Sequence, residues 1–429
     1  MSKLIINELS ELERAGVIDE ATAGRIRDYY AAQTKAASAN RLNIVFAILG
    51  TILVGMGIIL VIAHNWDQLS RVIKVFIAFL PVLIGQGLCT WALVKHKFDR
   101  VWLECSSVFL FFGVGACIAM VSQVYHIPSS GGTFVLTWML LVFPLIYIMR
   151  SSITSLLYLV GITAYGSFYS DLFAGADYTY WCLLALAIPY YVMLIKTQPR
   201  SNLIYIHHWF VPLSVTICLG FVMGNAETLF LPAYICLMAV FYLVGTYAGF
   251  MQNKILSNGY LVIGSVGTVI ILLICSFENF WNFWSYENDP QVLLLTTPGG
   301  WITLLLFMIA MALAWKWMVL EKQEVNWLGL LFIPFILGFF LLGEAGRAAA
   351  ILVNLLTLGA GLATIQRGNR LNHLGILNYG LAIIALLVIC RFFDEHISFV
   401  VRGLMFIAVG VGFFVANSRL IKKRKLHES

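Results

Sequence analysis

Charge is what this sequence most lacks: Asp, Glu, Lys and Arg fill only 11% of its 429 positions. A soluble domain carries roughly 25%. Too few ionic side chains are present to cover a water-facing surface of that size, which excludes a soluble globular protein. Carboxylates are also missing where a pump would need them. No Asp or Glu lies near the centre of any long apolar run. That counts against a proton-driven pump of the usual kind, but not against uniport, lipid movement or coupling through residues at the rim. Cysteine supplies no framework either. Cys89, Cys105, Cys117, Cys182, Cys218, Cys236, Cys275 and Cys390 all fall in or beside apolar stretches, without metal-ligand spacing or an extracellular disulfide pattern. They read as small buried hydrophobes. The His-Glu-x-x-His zinc pattern, the Gly-x-Ser-x-Gly nucleophile turn and the phosphate-binding glycine-lysine loop are all absent. The chain is therefore read as a non-enzyme with no cofactor and no metal. Its first 41 residues are charged rather than apolar, so no cleavable signal peptide is expected.

Apolar residues are plentiful, at 61% of positions, with a mean hydropathy of +0.89. The 12 Trp and 18 Tyr suit helices that end in two interfacial belts. A helix crossing the apolar core needs about 20 residues, and on that measure the chain reads as an all-α polytopic membrane protein of about fourteen transmembrane helices. The expected spans are 42–64, 72–94, 103–124, 132–149, 153–170, 179–195, 203–223, 229–250, 257–277, 298–319, 326–342, 346–365, 371–390 and 398–418. Only Gly343 to Gly346 separates 326–342 from 346–365, so these form a tight helical hairpin or one broken helix. Gly131 and Pro298 mark helix starts. Pro81, Pro144, Pro189, Pro212, Pro232 and Pro334 fall inside spans and should kink them. Every connection is short except 278–297, which leaves no room for a folded enzyme domain outside the membrane.

Three domains follow: a helical hairpin over 1–41, the bundle over 42–418 and a basic tail over 419–429. In the hairpin, Leu4, Ile5, Leu9 and Leu12 recur at near-helical spacing, Gly16 ends the run, and Asp19 stands where a second helix needs a cap. Glu8, Glu11, Glu13, Asp19, Glu20 and Asp28 dilute any basic face, and the tail Lys422, Lys423, Arg424, Lys425 reads as an anchor near anionic headgroups. Nucleic acid is not an expected partner. Placing both termini in the cytoplasm leaves only Arg71, Lys74, Arg347, Arg391 and Arg402 of the 27 basic residues outside, as the positive-inside rule asks.

Those five lie in three acid-containing connections. One is His64-Asn65-Trp66-Asp67 with Arg71 downstream; another is Glu344 with Arg347; the third is Arg391 through Asp394, followed by Arg402. They form either a shared outward-facing site, where arginine's planar donor fork holds phosphate or carboxylate, or a set of local ion pairs that orient helix ends. Gln123, Tyr125 and His126 precede a Pro-Ser-Ser-Gly-Gly turn and make either the lip of a cavity or an interfacial turn. Gln86, Asn354 and Asn378 are the candidates for buried polar groups that join helices. The adjacent His207 and His208 cannot share a helix face as metal ligands would.

Residues Glu13 to Ala21, then Arg25-Ile26, then a glycine-rich helix ending Ala63-His64-Asn65-Trp66-Asp67, resemble the DUF2157 family of bacterial membrane proteins. Gln123 to Ile127, followed by Trp138, and Arg391-Phe392-Phe393-Asp394 also resemble that group. A Trp common in the family's first short helix is replaced here by Leu12-Glu13-Arg14. The resemblance is strongest over 1–145. It implies a multi-pass protein of the inner membrane and a periplasmic protein partner, without an activity. Membrane lipids and a second copy of the chain complete the expected partners. Two functions stand: a transporter or flippase-like protein for an anionic or amphipathic envelope-related substrate, or a non-transporting scaffold or sensor whose hairpin docks a partner.

Overall fold

The computed structural model describes residues 12–13, 16–17, 19–26, 68–168 save 98 and 129, 178–246 save 200 and 224–226, 257–283, 290–320, 327–392 save 344, and scattered positions within 400–411. It divides into two units, 1–77 and 78–429, each described by itself. In the first unit two expected local signals, Gly16 and Asp19, fall on described residues and stand at helix ends; the rest of the expected hairpin lies outside the described residues. Gly16 takes φ +67°, with its N–H on Glu13 O at 3.2 Å and the Val17 N–H on Leu12 O at 3.0 Å. A residue with no Cβ is favoured in that left-handed position. Asp19 then opens the helix over 20–26: its carbonyl accepts from Thr22 and Ala23, and its carboxyl is hydrogen-bonded to Thr22.

The apolar runs that fall on described residues do fold as helices. These are α1 (Arg71–Lys95), α2 (Arg100–Tyr125), α3 (Gly131–Met149), α4 (Ser152–Phe168), α5 (Thr179–Thr197), α6 (Asn202–Met223), α7 (Phe230–Gly245), α8 (Gly259–Cys275), α9 (Pro298–Trp315), α10 (Phe332–Leu342), α11 (Gly346–Arg370) and α12 (Leu374–Phe392). The expected number of crossings does not stand. Among the described residues eight helices are long and apolar enough to cross a membrane: α1, α2, α3, α5, α6, α9, α11 and α12. Ser152–Phe168, Phe230–Gly245, Gly259–Cys275 and Trp327–Leu342 are apolar but shorter. At 1.5 Å per residue a 16- or 17-residue helix covers only about 25 Å of a core about 30 Å thick. Hydropathy marks an apolar run, but not where capping residues cut it short. With the count of fourteen gone, the placing of both termini in the cytoplasm loses its support, and so does the outward side given to the five basic residues. The expected span 42–64 lies outside the described residues, as does most of 398–418.

The short helices owe their length to their position. α7 is buried along nearly its whole surface, so its ends meet protein rather than headgroups. Backbone groups at helix ends in a membrane must then find partners inside the protein. Asn258, 2% exposed, serves two ends at once. Its Nδ2 donates to Gly245 O at 2.7 Å, closing α7, while its Oδ1 accepts from Leu261 N at 3.1 Å, opening α8. One core cluster packs α2 to α6 around Met139, Ile146, Tyr158 and Tyr190. A second gathers α7, α8, α10 and α11 around Phe332, Phe335 and Val353. A third, with Leu219, Leu237 and Phe241, joins α6 to α7 and α8.

Gly338 of α10 packs directly on Leu352 of α11. In one continuous helix these positions would stand about 21 Å apart, so 326–365 is a tight hairpin. α11 and α12 form another, with Gly361 against Ile384, Gly380 against Ile365 and Gly368 against Leu377. Gly131 and Pro298 start helices as expected, capped by Ser130 and Thr297. Pro81, Pro144, Pro189 and Pro212 lie inside helices. Pro232 and Pro334 instead occupy first turns, where a missing N–H breaks no bond.

Candidate functional site

Extending the α11–α12 register sets Asn354 across from Arg391, and both reach Ser276 just past the end of α8. Arg391 Nη2 donates to Ser276 Oγ at 3.0 Å, and its Cζ stands 4.5 Å from the centroid of the Phe277 ring. Asn354 Nδ2 donates to Ser276 O at 2.9 Å and to Ala350 O at 2.7 Å. Trp281, 4% exposed, donates from Nε1 to Cys275 O at 2.7 Å. The last carbonyls of α8 are thereby satisfied, and a half-buried guanidinium rests at the negative end of that helix, where a cation is favoured. Glu278, also half-buried, opens the short helix Glu278–Phe283 beside it. The hydroxyl, the cation–π contact and the helix dipole together fix the position of a group whose planar fork suits phosphate or carboxylate.

Arg347 begins α11 at this same end, about two helical turns from Asn354, and is exposed. Two of the expected site residues are thus brought to one end of the bundle. Arg71 is the exposed first residue of α1. Gln123 and Tyr125, in the last turn of α2, and His126, its C-cap, are exposed, and the chain closes there as a turn. The Ile127 N–H meets Ser122 O at 3.0 Å, Ser122 Oγ donates to Ile127 O at 3.0 Å, and His126 takes φ 51°. His64, Asn65, Trp66, Asp67, Glu344, Asp394 and Arg402 lie outside the described residues. Of the three expected helix-joining groups only Asn354 does so. Gln86 and Asn378 are exposed, because each falls on the flank of its helix turned away from the packed neighbour.

A second polar cluster, at the other end of α8, was not expected from the sequence. Glu104 of α2, 9% exposed, reaches the first turn of α4. It accepts from the Ser151 hydroxyl, from Ser152 N at 2.8 Å and from Ile153 N at 3.0 Å. Ser151 caps α4 by accepting from Thr154 N at 3.1 Å, and Thr154 Oγ1 lies 2.6 Å from Ser107 Oγ. Further along α4, Ser155 Oγ is 3.3 Å from His207 Nε2. His207 Nδ1 is 2.8 Å from Leu203 O, an acceptor only, so in the neutral ring Nδ1 carries the proton and Nε2 accepts from Ser155. His208 points elsewhere, to Tyr191 OH at 2.6 Å. The two histidines diverge as their adjacency requires, and both are buried. The only hint of the cluster in the sequence is a carboxylate one turn inside a long apolar run, since Ser151 lies 47 positions away from Glu104.

Residues 10–155 match the family described as "Predicted membrane protein (DUF2157)". The matched stretch includes Glu104 and the first turn of α4, but neither His207 nor Arg391. No curated protein and no solved structure matches the chain.

Proposed function

We propose that this multi-pass membrane protein is a non-enzymatic transporter or flippase-like protein of the inner membrane. Its substrate is anionic or amphipathic and belongs to the cell envelope, and Arg391 is the group that holds the anion. The placement of Arg391 carries the reading: a guanidinium half-buried in an apolar bundle, positioned by a hydroxyl and an aromatic face, with Arg347 at the same end. A fixed donor fork in a dry setting recognises phosphate or carboxylate far better than one in water. The test uses the full chain in proteoliposomes with a fluorescent short-chain phosphatidylglycerol, followed by dithionite quenching. The wild type moves the probe across the bilayer faster than protein-free vesicles do. Arg391→Gln lowers that rate about tenfold or more, since hydrogen bonds to a charged group are worth roughly 1.5–3 kcal/mol. Wild-type vesicles no faster than empty ones would sink the proposal.

One observation favours the scaffold or sensor reading. Leu12 and Val17, at 42% and 66% exposure, leave an apolar edge on the N-terminal hairpin for a partner to cover. Deleting residues 1–41 separates the two accounts: probe movement survives the deletion if the bundle transports by itself.

A further inference from the structure

We infer that the end of the bundle around Glu104 holds the headgroup of an anionic phospholipid, with its phosphate between Arg100 and Arg150. This end lies at the opposite end of α8 from Arg391, so the site is independent of the proposed transport site.

Four basic residues gather here: Lys95 ends α1, Lys97 follows it, Arg100 opens α2 and Arg150 closes α3. All four are exposed. The acidic residues of the same end are occupied elsewhere. Asp99 caps α2, its Oδ1 accepting from Val101 N at 2.9 Å, and Glu104 is turned inward to the first turn of α4. Each carboxylate is thus tied to backbone N–H groups, and the four cations against these two carboxylates leave this end with a net positive charge. The Glu104 clamp also fixes their spacing. Arg100 stands one turn before Glu104 on the same face of α2, and Arg150 immediately precedes Ser151, which donates to Glu104. Two cations on separate helices are therefore held about one rigid buried contact.

Two further features point to lipid. Trp91 and Trp102 lie edge to face with centroids 4.6 Å apart, the His96 ring is tilted against both, and both indoles are exposed, at 42% and 39%. Exposed Trp next to basic residues is the composition of the headgroup level of a bilayer. Arg150 sits at φ 50°, ψ 40° as the last cap of α3. Glycine or asparagine usually fills that left-handed position. An arginine there puts a charge at this corner at the expense of backbone ease, which a headgroup contact accounts for.

The test is native mass spectrometry of the purified full chain after exchange into equal amounts of phosphatidylglycerol and phosphatidylcholine, counting the lipids retained. Each arginine near an anionic partner is worth about fivefold in affinity, so the pair gives the wild type a preference for phosphatidylglycerol of about twenty-five-fold. Arg100→Gln with Arg150→Gln brings the two lipids close to parity. Arg150→Gly relieves the left-handed backbone and folds at least as well, yet it loses about fivefold of the preference. Parity in the wild type, or full preference in the double variant, overturns the inference. So does displacement of the lipid by inorganic phosphate at buffer concentration, which would assign the site to a free anion.

Discussion

Replacing Glu104 with alanine should be the most damaging single change to a polar residue of the bundle. The side chain receives three donors at the start of α4, from the Ser151 hydroxyl and the Ser152 and Ile153 N–H groups. In Glu104→Ala the Ser151 hydroxyl keeps Thr154 Oγ1 at 2.9 Å, so it is not orphaned. The two N–H groups have no such recourse, and Ser152 is completely buried. A buried donor left unsatisfied costs about 1–3 kcal/mol, which puts the loss at about 2–6 kcal/mol. Glu104→Gln keeps one acceptor oxygen for Ser152 but turns an NH2 toward the remaining donors, and should lose roughly half as much, about 1–3 kcal/mol. Thermal or denaturant melting in detergent micelles reads the ranking, with wild type above Gln and Gln above Ala. Hydrogen exchange localises it, since amides 151–158 should lose protection before those of α11 and α12. An alanine variant that melts with the wild type, or a glutamine variant worse than alanine, would refute the account of Glu104 as the cap of α4.

Two more outcomes are expected. A Cβ built on Gly380 would stand 2.7 Å from Ile365 N, whereas one on Gly359 meets nothing within 4 Å. Gly380→Ala should therefore cost about 1–3 kcal/mol by forcing α11 and α12 apart, while Gly359→Ala leaves melting unchanged or slightly raised. At the start of the helix over 20–26, the hydrogen bond from Thr22 holds the Asp19 carboxyl below its ordinary value of 3.8. Because the folded form is the more acidic one, its contribution is complete above the ordinary carboxylate range and is lost as pH falls through the depressed value. NMR titration of the Asp19 carboxyl carbon checks this, with a midpoint below 3.8 in the wild type that moves upward in Thr22→Val.

The sequence was legible wherever a local rule decides the outcome. Scarce charge set the solvent, Gly16 and Asp19 set a turn and a helix start, and Gly131 and Pro298 set two more helix starts, each through a preference acting within a few residues. The number of crossings was not legible, because α4, α7 and α8 are as apolar as the helices that span. What separates them is the capping at their ends, by Glu104 and Asn258, that lets them stay short. Arg391 was picked out as a charge beside an apolar run, and its neighbours Ser276 and Phe277 could not have been, lying more than a hundred positions away. Glu104 was missed for the same reason. Its role exists only once α2 and α4 are side by side.

The two caps also differ in when they are made. A ribosome delivers the chain from the N-terminus, so Glu104 is already in place in α2 when Ser152 emerges, and the opening N–H groups of α4 find their acceptor on arrival. The Gly245 carbonyl has no such welcome. Its partner Asn258 follows 13 positions later, and until then the closing turn of α7 has an unmet acceptor. α7 therefore enters the membrane as half of a unit that α8 completes. A stall or truncation between 245 and 258 should leave a nascent chain that the membrane's quality-control proteases recognise, while one just after α4 should not.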